Sequence, residues 1–176
     1  MSDGRRDPPD PARARRLLFV CTGNTCRSPM AEVLARAALA ARLPDVTVES
    51  AGTFAAPDVP AAEDARAVAA RHGLDLEGHR SRPLTPDMAA RADLVLCMSE
   101  SHRRSASELG AGRRAVLLSH YLPEGDPLRD GSIMDPVGGG PEAYRDAFEV
   151  LERAVGGLAA RLTRARAGRP GRRDGD

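Results

Sequence analysis

A thiol and a guanidinium, Cys21 and Arg27, enclose the five residues Thr22-Gly23-Asn24-Thr25-Cys26 and lead into Ser28-Pro29. That pattern suits a loop holding a phosphate dianion. Gly23 lets the backbone approach a ligand closely, and Asn24 tolerates left-handed geometry. Ser28-Pro29 reads as the N-cap and first position of a helix. Free backbone N–H groups and the positive end of the helix dipole then converge on one spot. Arg27 can grip two phosphate oxygens in bidentate fashion. The same field favours the thiolate form of Cys21, and Ser28 is placed to donate a hydrogen bond to it.

A second match to the pattern runs from Cys97 to Arg103. It has no Gly and puts Glu100 into the would-be cradle, where a carboxylate repels phosphate, so Cys97 reads as a buried strand-end cysteine. A nucleotide P-loop would end in Gly-Lys-Ser/Thr, and the chain has no Lys. The histidines at 72, 79, 102 and 120 show no ligand spacing and the cysteines form no C-x-x-C pair, so neither a metal nor another cofactor is implied. His72, just before Gly73, reads as a partner for a helix end.

Short apolar runs that read as strands alternate with helical patterns. Leu17–Cys21, Val46–Ser50, Leu94–Met98 and Ala115–Ser119 are the strands; Pro29–Ala41, Pro60–Arg71, Thr85–Arg91, Ser99–Leu109 and Pro141–Thr163 are the helices. This alternation predicts an α/β single domain: a parallel sheet with helices on both faces and its ligand at the carboxyl ends of the strands, where Cys21 falls.

The 176 residues suit one core. With aromatics at 3% and no Trp, that core must be built from Leu, Val and Ala. A net charge of +1 gives no argument for a nucleic-acid or membrane partner. No apolar run approaches the roughly 20 residues needed to cross a bilayer, and Met1–Pro11 has no apolar signal-peptide segment. Three cysteines make no disulfide framework, so a cytoplasmic setting is expected. Residues 1–15 (Pro, Asp, Arg) and 166–176 (Arg, Gly) read as disordered tails around a domain spanning 16–165.

The stretch Phe19-Val20-Cys21-Thr22-Gly23-Asn24-Thr25-Cys26-Arg27-Ser28-Pro29-Met30-Ala31-Glu32 resembles the signature of the low-molecular-weight protein tyrosine phosphatase family, and within it the bacterial protein arginine phosphatases. The likeness continues in Ser50-Ala51-Gly52-Thr53-Phe54, Ser81-Arg82-Pro83-Leu84-Thr85, Ala92–Leu96 and Asp135-Pro136, and covers about residues 16–163. It implies a four-stranded parallel sheet and phosphorylated proteins as substrates. It also implies Cys21 as nucleophile, forming a cysteinyl-phosphate, with Arg27 and the backbone amides of Thr22 to Arg27 as the phosphate grip. Four Asp-Pro pairs occur, at Asp7, Asp10, Asp126 and Asp135; the resemblance makes Asp135 the general acid, with Asp126 as the fallback. It further implies that Asn24 and Ser50 brace the loop, and that Cys26 is a candidate for a reversible disulfide with Cys21.

Thr25 bears on the substrate. Family members resembling tyrosine phosphatases commonly carry an aliphatic side chain there, and those resembling arginine phosphatases carry Thr. A hydroxyl could bond a guanidinium and orient the attacking water. Val137 stands where the family often has an aromatic wall, leaving Phe54 as the aromatic available to line the pocket. The expected function is therefore a cysteine-dependent phosphatase for phosphoarginine in proteins. The alternatives are a phosphotyrosine phosphatase of the same family, an arsenate-reductase-like redox enzyme, which lacks the further cysteine it would need after Cys97, and a non-catalytic phosphoprotein-binding module.

Overall fold

The strand that delivers Cys21 is apolar on both faces because both are covered. In the computed structural model, which describes residues 11–168, β1 (Arg16–Cys21) is buried from Leu17 onward. It lies between β2 (Thr47–Gly52) and β3 (Leu94–Cys97), and β4 (Ala115–Leu117) completes a parallel sheet in the order β2-β1-β3-β4. Phe19 is in register with Ser50 on one side and Leu96 on the other, and Cys21 with Gly52. The chain leaves β1 towards β2 and later returns to its other side, so the carboxyl end of β1 is the switch point where open α/β sheets bind ligands.

Alternation along β1 divides the core. Leu17, Phe19 and Cys21 pack in one cluster with residues of α1 (Arg27–Leu39), α2 (Glu63–Arg71) and α5 (Gly140–Ala167). Leu18 and Val20 pack in the other with Val95, Cys97 and residues of α3 (Pro86–Arg91) and α4 (Glu100–Ala106). Helices therefore cover both faces, as the sequence predicts. Gly157 lets α5 lie directly on the turn after β4, since a Cβ there would stand 1.9 Å from the Tyr121 carbonyl oxygen. His72 donates at its helix end as anticipated, from Nδ1 to the Val68 carbonyl at 3.0 Å, and its ring lies on that of Phe148, centroids 4.3 Å apart.

Boundaries differ in places for local reasons. Pro60 forms an isolated bridge with Arg80 instead of starting α2. After Ala106 the chain widens into a looser turn over Ser107–Ala111, with Gly110 at φ 108°, so the expected helix to Leu109 stops early. The tail boundaries at 15 and 166 also shift. Ala14 is 3% exposed, and Arg166 extends α5 by donating to Asp45 at 2.7 Å and to the Ala14 carbonyl at 2.8 Å. Composition alone hides this, because one buried Ala and one anchored Arg suffice to hold both segments. The rest of the expected tails, 1–10 and 169–176, lies outside the described residues.

Candidate active site

Helix α1 begins one residue before the expected N-cap. Cys26 occupies the cap position without a side-chain cap bond, and Arg27 and Ser28 are already helical. The correction has a chemical consequence: the Ser28 hydroxyl does not cap the helix and lies 2.9 Å from Cys21 Sγ. That is hydrogen-bond distance for stabilising a thiolate.

The loop is held from behind by a buried polar chain. Asn24, at φ 55°, takes the left-handed conformation the sequence suggests. Its Nδ2 donates to both Ser28 Oγ and Ser50 Oγ at 2.9 Å, and its Oδ1 accepts from the Arg82 backbone at 3.0 Å. Ser50 in turn donates to Glu32. The Asn24 carbonyl lies 2.7 Å from His79 Nε2. Asn24, Ser28 and Ser50 are each almost fully buried, and a buried network stays favourable only when its members are satisfied. Glu32, His79 and Arg82 were invisible as site residues in the sequence, since their roles depend on contacts made across the fold.

Gly23 is not the glycine that fits most tightly. A Cβ there would meet only Thr25 Oγ1, at an ordinary 3.6 Å. Gly52, at the end of β2, is the tight one: a Cβ would stand 2.3 Å from the Thr22 carbonyl oxygen and 2.9 Å from the Asn24 nitrogen.

Arg27 is 5% exposed. Its Nη1 donates to the Ile133 carbonyl at 3.0 Å and its Nη2 to Asp135 Oδ2 at 2.7 Å. Its Nε is buried without a partner, a donor that a phosphate oxygen in the loop would satisfy. Asp135 Oδ1 accepts from the Val137 backbone at 3.2 Å, which fixes the carboxylate at the mouth. Asp126 is elsewhere, bonded to the Leu128 nitrogen at 2.9 Å and to Arg153 at 3.3 Å. Of the two Asp-Pro candidates in the domain, the structure brings only Asp135 to Arg27.

The other candidates fall at the edges. Thr22 is exposed and Thr25 half-buried; the Thr25 hydroxyl has a 3.5 Å contact with Cys26 Sγ. Cys26 lies 3.1 Å from the Tyr144 hydroxyl, and burial pushes its thiol pKa up. Phe54 is 87% exposed and Val137 66%. The rival loop behaves as the sequence argued: Cys97 is fully buried, its pKa pushed up to about 12 by desolvation, and Arg103 is paired with Glu100 at 2.8 Å. Among the described residues no cluster of three or more His, Cys, Asp or Glu could hold a metal, all three cysteines are free, and no helix is long and apolar enough to cross a membrane.

The Cys21 thiol stands at the switch point of a four-stranded parallel sheet, with the buried Arg27 at the other end of the same loop. The chain belongs to the low molecular weight phosphotyrosine protein phosphatase family, whose model matches residues 16–167. It is 39% identical over 148 residues to the low molecular weight protein-tyrosine-phosphatase Etp of Escherichia coli strain K12, covering 84% of this chain and 95% of that one. It is 38% identical over 152 residues to the protein-arginine-phosphatase of Bacillus subtilis strain 168, covering 85% and 98%. Among solved structures it resembles a serine variant of the YwlE arginine phosphatase with a phosphorylated active-site serine, with a TM-score of 0.76, 37% identity and coverage of 86% and 98%.

Proposed function

We propose that this chain removes phosphate from arginine side chains of proteins through a cysteinyl-phosphate intermediate. The observation that carries the substrate choice is Thr25, half-buried on the loop, whose hydroxyl has among the described residues one side-chain hydrogen bond, a long one to the Cys26 sulphur. Its hydrogen-bonding capacity is left for a polar guanidinium or for water. Val137, standing where the family often has an aromatic, leaves a phenol ring less surface to stack on. The arginine phosphatase of Bacillus subtilis among the relatives supports this reading; the tyrosine phosphatase Etp makes phosphotyrosine the second.

In the first step the Cys21 thiolate attacks phosphorus. The P–N bond of phosphoarginine breaks, and Asp135 delivers a proton to the departing nitrogen. Arg27 and the loop amides hold the equatorial oxygens. In the second step Asp135, now a carboxylate, takes a proton from water as that water attacks phosphorus. The S–P bond breaks, the thiolate returns with the electron pair, and inorganic phosphate leaves. Ser28 stabilises the thiolate as leaving group. We place the phosphatase domain over the expected residues 16–165, extended by Ala14 and Arg166, in a cytoplasmic, reducing setting that keeps Cys21 free.

The test is phosphate release from matched phosphoarginine and phosphotyrosine peptides at neutral pH under reducing conditions, with Cys21→Ser as control. Preference for phosphoarginine, abolished in the control and reversed by Thr25→Ile, supports the proposal. Preference for phosphotyrosine keeps the mechanism and reduces Thr25 to packing. No turnover of either by folded protein overturns it.

A further inference from the structure

His102 lies on the first turn of α4, is 4% exposed, and has both ring nitrogens engaged. Nδ1 lies 2.9 Å from Oγ of Ser99, the residue that caps α4, and Nε2 lies 2.8 Å from Oγ1 of Thr22. Thr22 follows the Cys21 thiol directly and contributes the first peptide of the cradle. Among the described residues no other side chain hydrogen-bonds its hydroxyl, whereas its carbonyl is already fixed by the Phe54 backbone at 2.9 Å. A buried imidazole is costly unless its polar atoms are paired, and here one of the two pairings goes to the loop that carries the chemistry. Removing the Thr22 hydroxyl leaves a buried imidazole nitrogen short of its bond, so this contact is specific in a way that packing alone is not.

We infer that His102 is a positioning residue that sets the first peptide of the phosphate cradle through the Thr22 hydroxyl, tying the cap of α4 to the loop. The inference rests on the loop being the phosphate site. Thr22 is held at its carbonyl from the β2 side and at its side chain from the α4 side. Its backbone N–H, next to the thiol, is thereby kept aimed into the cradle. Nothing in the local sequence connects the two residues, which stand 80 positions apart.

A double-mutant cycle tests the coupling. The four proteins are the full chain, Thr22→Val, His102→Ala and the double variant, each read in two ways: kcat/KM on a phosphopeptide and the dissociation constant of inorganic phosphate by calorimetry. Losing one hydrogen bond that orients the cradle should weaken phosphate binding about 3- to 10-fold in each single variant. The double variant should be no weaker than the worse single. His102→Gln, whose amide can reach the Thr22 hydroxyl, should recover most of the lost affinity.

A role for His102 in holding α4 alone would lower the unfolding midpoint while leaving phosphate affinity within about twofold, and that result overturns the inference. So do single effects that multiply in the double variant. If His102→Ala does not fold, Thr22→Val still decides, because it removes a hydroxyl from an exposed side chain; unchanged phosphate affinity there is fatal. A parent protein that binds phosphate yet turns over no phosphopeptide defeats the proposed activity, while the cycle on phosphate affinity still decides the role of His102.

Discussion

Arg27 donates from Nη2 to Asp135 Oδ2 at 2.7 Å, so the guanidinium proposed to grip phosphate and the carboxylate proposed for proton transfer are directly paired. The Arg27 side chain is 7% exposed and that of Asp135 46%. A buried guanidinium needs a counter-charge, and Asp135 supplies it from the solvent side. A phosphate dianion would compete for the same guanidinium, freeing the carboxyl group to take up a proton from solvent and turn towards the leaving group.

Asp135→Asn should therefore separate chemistry from binding. It removes the proton donor, which lowers kcat about 10²- to 10⁴-fold. It also removes a negative charge beside the incoming dianion and a competitor for Arg27, so inorganic phosphate should bind at least as tightly as before. Steady-state kinetics and phosphate calorimetry on the same preparations check both halves. A clear weakening of phosphate binding would mean that Asp135 braces the loop and is not held in reserve.

Gly52→Ala should damage the site more than the fold. Its Cβ would meet the Thr22 carbonyl oxygen at 2.3 Å and the Asn24 nitrogen at 2.9 Å, both loop backbone, so the cradle must shift. Misplacement by about 1 Å costs on the order of 10²-fold in rate. We expect kcat/KM to fall by about that factor with a thermal midpoint only several degrees lower. Near-normal activity would show that the loop can retreat without losing its geometry.

The three thiols should react in a fixed order. Cys97 is fully buried, with its pKa pushed up to about 12, and the Cys26 thiol is raised by burial. Cys21, the proposed nucleophile, has the Ser28 hydroxyl at 2.9 Å, and Cys26 has that of Tyr144 at 3.1 Å. Because the thiolate is the nucleophile, iodoacetamide at neutral pH should label Cys21 first, with phosphate protecting it. Cys97 should stay unlabelled until urea unfolds the chain. Peptide mapping by mass spectrometry reads this directly, and early labelling of Cys97 would contradict the packing of β3.

What the sequence made legible was local. Cys21, Arg27 and Ser28 lie on one loop, and a strand running into that loop and out into a helix is written in consecutive residues. Cys97 could be set aside because Glu100 lies inside its own five-residue gap. What escaped was non-local. His79, Arg82, Glu32 and His102 reach the loop only once the sheet has brought β2, the segment after α2, and α4 around it. No spacing rule couples His102 to Thr22, or Gly52 to the Thr22 carbonyl. The early start of α1 escaped for a different reason: Ser28 has the composition of an N-cap, but its hydroxyl is used by Asn24 and Cys21. The fold of the outer segments escaped because a single buried residue, Ala14, does not register in composition.

His102 should also leave a signature in acid stability. Burial, and then the nearby Arg27 charge, lower its pKa to about 4, with Asp135 opposing; in the unfolded chain it titrates near 6.5. Between those values the unfolded state binds the extra proton, so stability is fully present above about pH 6.5 and falls as the pH drops towards 4. Between pH 7 and pH 5 this histidine should cost the protein about 1–2 kcal/mol. His102→Gln cannot take up that proton and should lack this component of the slope. Urea unfolding of both proteins at pH 7 and pH 5 gives the comparison. The parent should lose about 1–2 kcal/mol more than the variant over that interval. Equal losses would mean that His102 is hydrated enough to titrate normally in the folded state, and that its bond to Thr22 is looser than 2.8 Å implies.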